Sequence, residues 1–171
     1  MSCQKLIHIF LIGPYPATCT GGFIFQLVFL LSTLNQIFKQ TIMELGNALN
    51  WFEIPVSDFD RAKRFYETIF SYEMPVNQMG PAKMGFFLYD FKGGKAGGAI
   101  VHHPDFYTPS ENGSLIYLNC QPDLQIMLSK VEEAGGNIIQ EKKEVAPGQN
   151  LGFWALIRDT EGNRVALHSM G

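Results

Sequence analysis

The stretch Trp51-Phe52-Glu53-Ile54-Pro55-Val56-Ser57-Asp58-Phe59 decides the fold of this chain, because a second copy of its pattern follows later. It consists of a β-prone segment, an aspartate in a helix-capping position and the start of an amphipathic run from Arg61 to Phe70. The second copy begins at Leu115-Ile116-Tyr117-Leu118-Asn119-Cys120, continues through Pro122-Asp123-Leu124 and leads into residues 125–134. A repeated β-α unit predicts two related halves with a cleft between them.

Three strand candidates follow each predicted helix. In the first half they are Tyr72 to Asn77, Lys83 to Tyr89 and Gly97 to His102. In the second half they are Asn137 to Lys143, Gly152 to Ile157 and Asn163 to Ser169. Glycine- and proline-rich turn signals separate these segments. The sequence therefore predicts an α+β domain of two βαβββ modules, whose curved sheets form a cup.

Two segments resemble the opening and closing motifs of a known family. Residues 51–62 followed by Arg64-Phe65-Tyr66, and the segment from Arg158 to His168, are similar to those of the glyoxalase, bleomycin-resistance and extradiol-dioxygenase superfamily, also called vicinal oxygen chelate proteins. The resemblance covers roughly residues 47–171. It implies the glyoxalase-like fold, and we expect two copies to pair as a homodimer. It leaves the reaction open, because this scaffold hosts isomerases, dioxygenases, transferases and drug-binding proteins.

The resemblance also implies a divalent metal in the cup, held by one residue from the first and last strand of each module. Alignment on the motifs places two of these positions at Trp51 and Ala166, and the duplication places the third at Ile116. The fourth is either Val101 or His102, since loop lengths leave its register open. Indole and alkyl side chains cannot coordinate a divalent cation. We therefore expect no metal cofactor.

Two polar residues, Glu53 and His168, lie one pleat from these positions, because residues two apart in a strand share a face. Three interpretations compete. They form a hydrogen-bonded pair that fixes strand or ligand geometry, they act as a catalytic acid-base pair, or they rebuild a displaced metal site with His102 or His103. We expect them to contact each other.

Aromatic residues are frequent in the predicted strands, and alternation directs about half of them into the cup. Such a lining suits a planar or hydrophobic ligand. The alternative is that these side chains fill the core, as aromatic residues commonly do. The predicted ligand-binding residues are Trp51, Phe87, His102, Tyr117 and Trp154.

The first 42 residues differ in composition from the rest. Lys5 and Lys39 are their only charged residues, and their two apolar runs are each shorter than the roughly 20 residues that span a membrane. We predict a hydrophobic leader at 1–42 outside a domain at 43–171, with Met43 as the true start of the protein. A targeting or membrane segment and an ordered accessory segment are the alternatives.

The net charge of −3, with both signs interspersed, provides no basic face for nucleic acid. Cys120 is the single cysteine of the predicted domain, which excludes a disulfide framework there. We predict a cytoplasmic glyoxalase/bleomycin-resistance-type protein that binds a small organic molecule, without membrane contact unless the leader is real. The alternatives are a lyase or isomerase of the lactoylglutathione-lyase type, or a dioxygenase-related enzyme, acting through Glu53 and His168, and an interaction domain with a filled cup.

Overall fold

The computed structural model describes residues 26–35 and 47–171. The chain divides into two compact units, Met1–Gly46 and Asn47–Gly171. In the first unit residues 26–35 form a helix, and the rest of the predicted leader, with Met43, lies outside the described residues. The start of the protein at Met43 stays a prediction. None of the helices within the described ranges has the length and apolar character needed to cross a membrane.

The second unit contains two four-stranded sheets. The first sheet comprises β1 (Trp51–Pro55), β2 (Val76–Met79), β3 (Ala82–Phe86) and β4 (Gly97–His102) in the order β1-β4-β3-β2. Strand β1 is parallel to β4, and the other pairs are antiparallel. Helix α1 (Phe59–Phe70) connects β1 to β2. This is the predicted βαβββ order of the first half.

The second sheet repeats this arrangement. Its strands are β5 (Ile116–Asn119), β6 (Asn137–Glu144), β7 (Phe153–Arg158) and β8 (Arg164–Ser169), in the order β5-β8-β7-β6. Strand β5 is parallel to β8, as β1 is to β4, and helix α2 (Gln125–Leu128) follows β5. The equal strand order and direction confirm the predicted duplication and the α+β class.

Helix α1 begins and ends where the sequence predicts. The Asp58 carboxylate accepts a hydrogen bond from the Arg61 backbone N–H at 3.0 Å and so satisfies one of the unpaired donors of the first turn. Ser71 ends the helix in the left-handed conformation, with φ of 57°. The buried residues recur every three or four positions and form one stripe that faces the core. They are Phe59, Ala62, Phe65, Tyr66 and Ile69.

Helix α2 is shorter than predicted. The expectation of a helix through Ala134 is wrong beyond Leu128, where the chain continues in turns to Gly135. The backbone N–H of Val131 donates to Leu128, three residues earlier, at 3.2 Å. Both side chains are fully buried, and a three-residue repeat is matched better by these tighter turns than by the 3.6-residue period of an α-helix.

Strand β2 begins later than the predicted Tyr72. The backbone N–H of Met74 donates to the Glu67 carboxylate at 2.7 Å and is therefore unavailable for a strand ladder. Tyr72 and Met74 pack instead against the core from an irregular segment. The four residues of β2 are all exposed, as expected of an edge strand.

The main core lies between the helices and one face of each sheet. It includes Ile54 and Ile100 of the first sheet together with Leu118 and Leu167 of the second, so the two modules share one hydrophobic interior. We call the opposite face of each sheet its open face. On the open face of the first sheet a smaller cluster contains Trp51, Met84, Phe86, Ala99 and Val101, with Tyr107 beside it.

Candidate functional site

The turn between β7 and β8, residues 159–163, holds the two modules together, and we call it the closing turn. Asp159, at its start, is 4% exposed. Its carboxylate accepts hydrogen bonds from the Tyr66 hydroxyl of α1 and from the Asn163 backbone N–H, both at 2.8 Å. Burial raises the pKa of Asp159, against the opposing effect of these hydrogen bonds. Asp159 is therefore engaged in structure rather than presented to a ligand.

Asn163, at the end of the closing turn, joins three segments. Its side-chain amide donates to the carbonyl oxygen of Pro55 at 2.8 Å and to the Asp159 carboxylate at 2.9 Å. Its amide oxygen accepts from the backbone N–H of Ser110 at 3.0 Å. The buried Asn163 side chain thus fixes the end of β1 relative to β8. It fixes in the same way the linker between the modules, residues 103–115.

Glu161, in the middle of the closing turn, contacts the chain at the start of α1. Its carboxylate accepts from the backbone N–H groups of Ser57 and Asp58 at 3.0 and 2.9 Å, and from the Arg61 guanidinium at 2.8 and 3.0 Å. Burial opposes ionisation, but the bonds from Arg61, Asp58 and Ser57 outweigh it and the pKa of Glu161 is lowered. The opening and closing sequence motifs are therefore the two sides of one interface.

A cavity of about 240 Å³ lies beside this interface, between β1 and the starts of β5 and β8. Glu53 to Pro55 line it from β1, Ile116 from β5 and Asn163 to Val165 from the end of the closing turn and β8. The linker contributes Thr108, Ser110, Gly113 and Ser114. The cavity is therefore built from both modules and from the segment that connects them.

Two charged residues line the cavity. The Glu53 carboxylate accepts from the Trp51 indole N–H at 3.2 Å and from the Tyr107 hydroxyl of the linker. The hydrogen bond to Glu53, together with burial and the carboxylate charge, raises the pKa of Tyr107. Arg164 donates through Nε to the backbone carbonyl of Glu111. Both charged groups thus have neutral partners.

The metal positions implied by the resemblance can be located on the two sheets. Trp51 and Val101 share the open face of the first sheet, whereas His102 lies on the opposite side of β4. In the second sheet Ala166 pairs with Tyr117. Ile116 pairs with Val165 and packs against the core, so it does not share a face with Ala166 as the alignment implied. The strand β5 presents Tyr117 to the open face instead.

The predicted ligand residues divide between the two faces. Trp154 neighbours His168 on the open face of the second sheet, and the Lys143 ammonium lies 4.7 Å from its ring centroid. Tyr117, on the same face, is 54% exposed. Phe87 is placed in the core, because it follows Phe86 in sequence and alternation turns it to the helix side, where it packs 5.2 Å from Tyr66.

His102 also lies on the helix side. Its Nδ1 is 3.1 Å from the carbonyl oxygen of Val56, just beyond β1. This contact ties the end of β4 to the chain entering α1. His102 therefore does not share an open face with Trp51, Tyr117 or Trp154, the residues with which it was predicted to bind the ligand.

The structure does not bring Glu53 and His168 together. Glu53 is held by Trp51 and Tyr107, whereas His168 Nε2 lies 3.0 Å from the carbonyl oxygen of Leu151. In residues 47–171 no hydrogen bond or ion pair joins the two side chains. Likewise, no three His, Cys, Asp or Glu side chains within the described parts of the chain are grouped so as to hold a metal.

Sequence reasoning missed Arg164 and the linker as parts of the cavity. Arg164 belongs to the closing motif, but the motif does not indicate where the Arg164 side chain lies. The linker residues Thr108, Ser110 and Ser114 have no strand or helix periodicity, so their path over β1 depends on non-local contacts such as that of Ser110 with Asn163.

Solved structures share this fold at low sequence identity. A glyoxalase/bleomycin resistance protein from Streptomyces sp. CB03234 is 24% identical over 71% of this chain and 100% of its own, with a TM-score of 0.53. TnmS3, an antibiotic binding protein from the same organism, is 22% identical over 72% and 95% of the two chains, with a TM-score of 0.51. Glyoxalase I from Zea mays is 16% identical with a TM-score of 0.52, and this chain spans 44% of its length and aligns over 71% of itself.

No curated protein sequence matches this chain significantly. A family model does match residues 48–167, which include both modules and both motifs except for the last two residues of β8. The duplicated βαβββ order and the paired motifs of the closing turn agree with that match. The chain therefore belongs to the Glyoxalase/Bleomycin resistance protein/Dioxygenase superfamily.

Proposed function

We propose that this protein binds a small organic molecule against the open faces of its two sheets, without a catalytic metal. The observation that carries the proposal is the chemistry of the open faces at the positions where the resemblance implies metal ligands. Trp51, Val101 and Ala166 provide indole and alkyl groups, and Tyr117 provides a phenol. This set does not fit a divalent cation, which needs several oxygen, nitrogen or sulfur donors.

Aromatic neighbours support a planar or apolar ligand. Trp51 packs against Phe86 and Tyr89, with ring centroids 5.9 and 6.2 Å apart, and Tyr89 is 39% exposed. Trp154 and the exposed Tyr117 provide similar surface on the second sheet. Rings with an exposed edge or face are suited to stacking with a ligand. The antibiotic binding protein TnmS3, which shares the fold, is a precedent for this type of function.

The alternative of a lyase, isomerase or dioxygenase-related enzyme with a displaced site depended on contact between Glu53 and His168. Their separate partners do not favour it. Ala99, Val101 and Ala166 on the open faces are buried. It is the exposure of Tyr117 and Tyr89 that favours an accessible surface over a filled interaction domain. We further propose that two copies pair in the cytoplasm. Val76 and Met79 support this pairing, because they are exposed apolar residues on the edge strand β2.

Replacing Trp51 with Leu is expected to weaken binding of planar aromatic compounds by about fivefold, because an aromatic stacking contact contributes about 1 kcal/mol beyond buried area. The measurement is titration of the full chain with a panel of planar aromatic antibiotics, followed by tryptophan fluorescence and by thermal shift. Ile126→Ala is the control, since Ile126 is an exposed apolar residue of α2 on the helix side. Equal affinities of the Trp51→Leu and unaltered chains would contradict the proposed site.

The purified protein is expected to contain far less than one divalent metal ion per chain. The measurement is elemental analysis for zinc, nickel, iron, manganese and cobalt after purification without chelators. One equivalent of metal that disappears in Glu53→Gln or His168→Gln would reject the proposal and favour the enzyme. Metal retained in both variants would place a site elsewhere in the chain and would equally reject a metal-free protein.

A further inference from the structure

The charges of the cavity are not neutralised by the protein. The two partners of Glu53, the Trp51 indole and the Tyr107 hydroxyl, are uncharged, and the partner of Arg164 is a backbone carbonyl. Within residues 47–171, neither Glu53 nor Arg164 belongs to an ion pair. One acidic and one basic residue therefore line the same cavity, and neither is paired with an opposite charge in this part of the chain.

The carboxylate of Glu111, the residue whose backbone holds Arg164, is already engaged. The Glu111 carboxylate pairs with Arg158 at 3.0 Å, while its backbone carbonyl holds Arg164 Nε. A guanidinium has five N–H donors and a carboxylate about four acceptor sites, so both cavity charges keep capacity for a ligand. The hydrogen bonds to the protein hold the two side chains in place. They leave further N–H donors of Arg164 and acceptor sites of Glu53 available to a ligand.

The remaining lining suits a short hydrocarbon chain between two charges. Ile116, which is half-buried, supplies alkyl surface, whereas Ile54 and Val165 are buried in the core and contribute little. The volume of about 240 Å³ corresponds to on the order of eight water molecules of about 30 Å³ each, and thus to a ligand of similar heavy-atom count. This is smaller than the roughly 300 to 1,000 Å³ of sites for drug-sized compounds.

We propose that this cavity binds a small zwitterion, with its ammonium group at Glu53 and its carboxylate at Arg164. The inference rests on the proposed small-molecule function, and it names the chemical class of the polar part of the ligand. Charge-assisted hydrogen bonds at both ends select a ligand that carries both charges, because a ligand with one charge leaves the other end of the cavity uncompensated.

The test uses the full chain and ω-amino acids from 3-aminopropanoate to 6-aminohexanoate. Each is compared with the alkylamine and the alkanoate of equal carbon number, by calorimetry and by NMR shift changes. The best zwitterion is expected to bind about tenfold more tightly than either singly charged analogue. Glu53→Gln is expected to abolish its advantage over the alkanoate, and Arg164→Gln its advantage over the alkylamine. Glu132→Gln, at an exposed carboxylate on the helix side, is expected to leave both advantages unchanged.

Circular dichroism and thermal unfolding of each variant confirm that the fold is retained. Equal binding of zwitterions and singly charged analogues, or unchanged selectivity in both cavity variants, would overturn the inference. If planar aromatic compounds still bind through Trp51 in that case, the proposed function stands and only the ligand class fails. If they do not bind either, both proposals fail.

Discussion

Replacing Glu161 with Gln is expected to lower the free energy of unfolding by about 2 to 4 kcal/mol, because a buried carboxylate that accepts several hydrogen bonds is replaced by an amide that turns N–H donors toward donors. The Glu161 side chain is 0% exposed and accepts from the backbone of Ser57 and Asp58 as well as from Arg61. The measurement is chemical denaturation at neutral pH. A loss below about 0.5 kcal/mol would mean that the bonds of Glu161 contribute little to holding the modules together.

Glu111→Gln is the matched control. Glu111 also pairs with an arginine, Arg158, at 3.0 Å, but the two side chains are 56% and 44% exposed. Exposed ion pairs typically contribute less than about 1 kcal/mol, so this variant is expected to change stability little. The comparison isolates the contribution of burial and of the backbone N–H partners from that of the arginine alone.

The effect of Glu161→Gln is expected to depend on pH. The pKa of Glu161 is lowered in the folded state, so its stabilisation is complete above the ordinary carboxyl value of about 4.3 and is lost as the pH falls through the lowered pKa. The stability difference between the two proteins should therefore narrow in acid. A difference that stays constant down to the acid unfolding transition would show that the charge of Glu161 is not what stabilises the interface.

Replacing Gly152 with Ala is expected to cost about 3 to 5 kcal/mol, because a left-handed backbone and a steric clash are combined. Gly152 has φ of 79°, and a Cβ atom there would lie 2.3 Å from the carbonyl oxygen of Ser169 and 3.2 Å from His168 Nε2. Neither strand end can yield without loss of pairing, since Phe153 is in register with Ser169. Thermal and urea unfolding measure the loss.

Gly148→Ala is the control for backbone strain alone. Gly148 has φ of 75°, close to that of Gly152, but nothing lies within 4 Å of an added Cβ. We expect a cost of about 1 kcal/mol, the lower end of the range for a non-glycine residue in this conformation. Equal costs at both positions would show that the contact with Ser169 relaxes without consequence.

The fold was predictable because its local signals agree with one another. Asp58 caps α1 as its position before the amphipathic run predicted, and strand β4 begins and ends at the predicted residues, Gly97 and His102. The repeated pattern then fixed the second module. The prediction failed where tertiary contacts override local pattern, as at Met74, whose backbone N–H is taken by Glu67.

The candidate site was less predictable, because facing and partners depend on register and on loops. The correspondence between the two copies placed Ile116 at a position that the structure assigns to Tyr117. Glu53 was expected to meet His168, but the linker brings Tyr107 to it instead. The hydroxyl donor comes from a segment 54 residues away without regular structure, which no periodicity reveals.

The closing turn also determines how freely the open faces can change. The closing turn contacts Tyr66, Arg61 and the backbone of Ser57. None of these residues lies on the open faces that carry Trp51 and Trp154. A library that randomises open-face positions and keeps residues 159–163 and their partners should therefore return mostly folded proteins. The chain can in this way serve as a selection scaffold in which ligand preference is varied while the joint between the two halves is left intact.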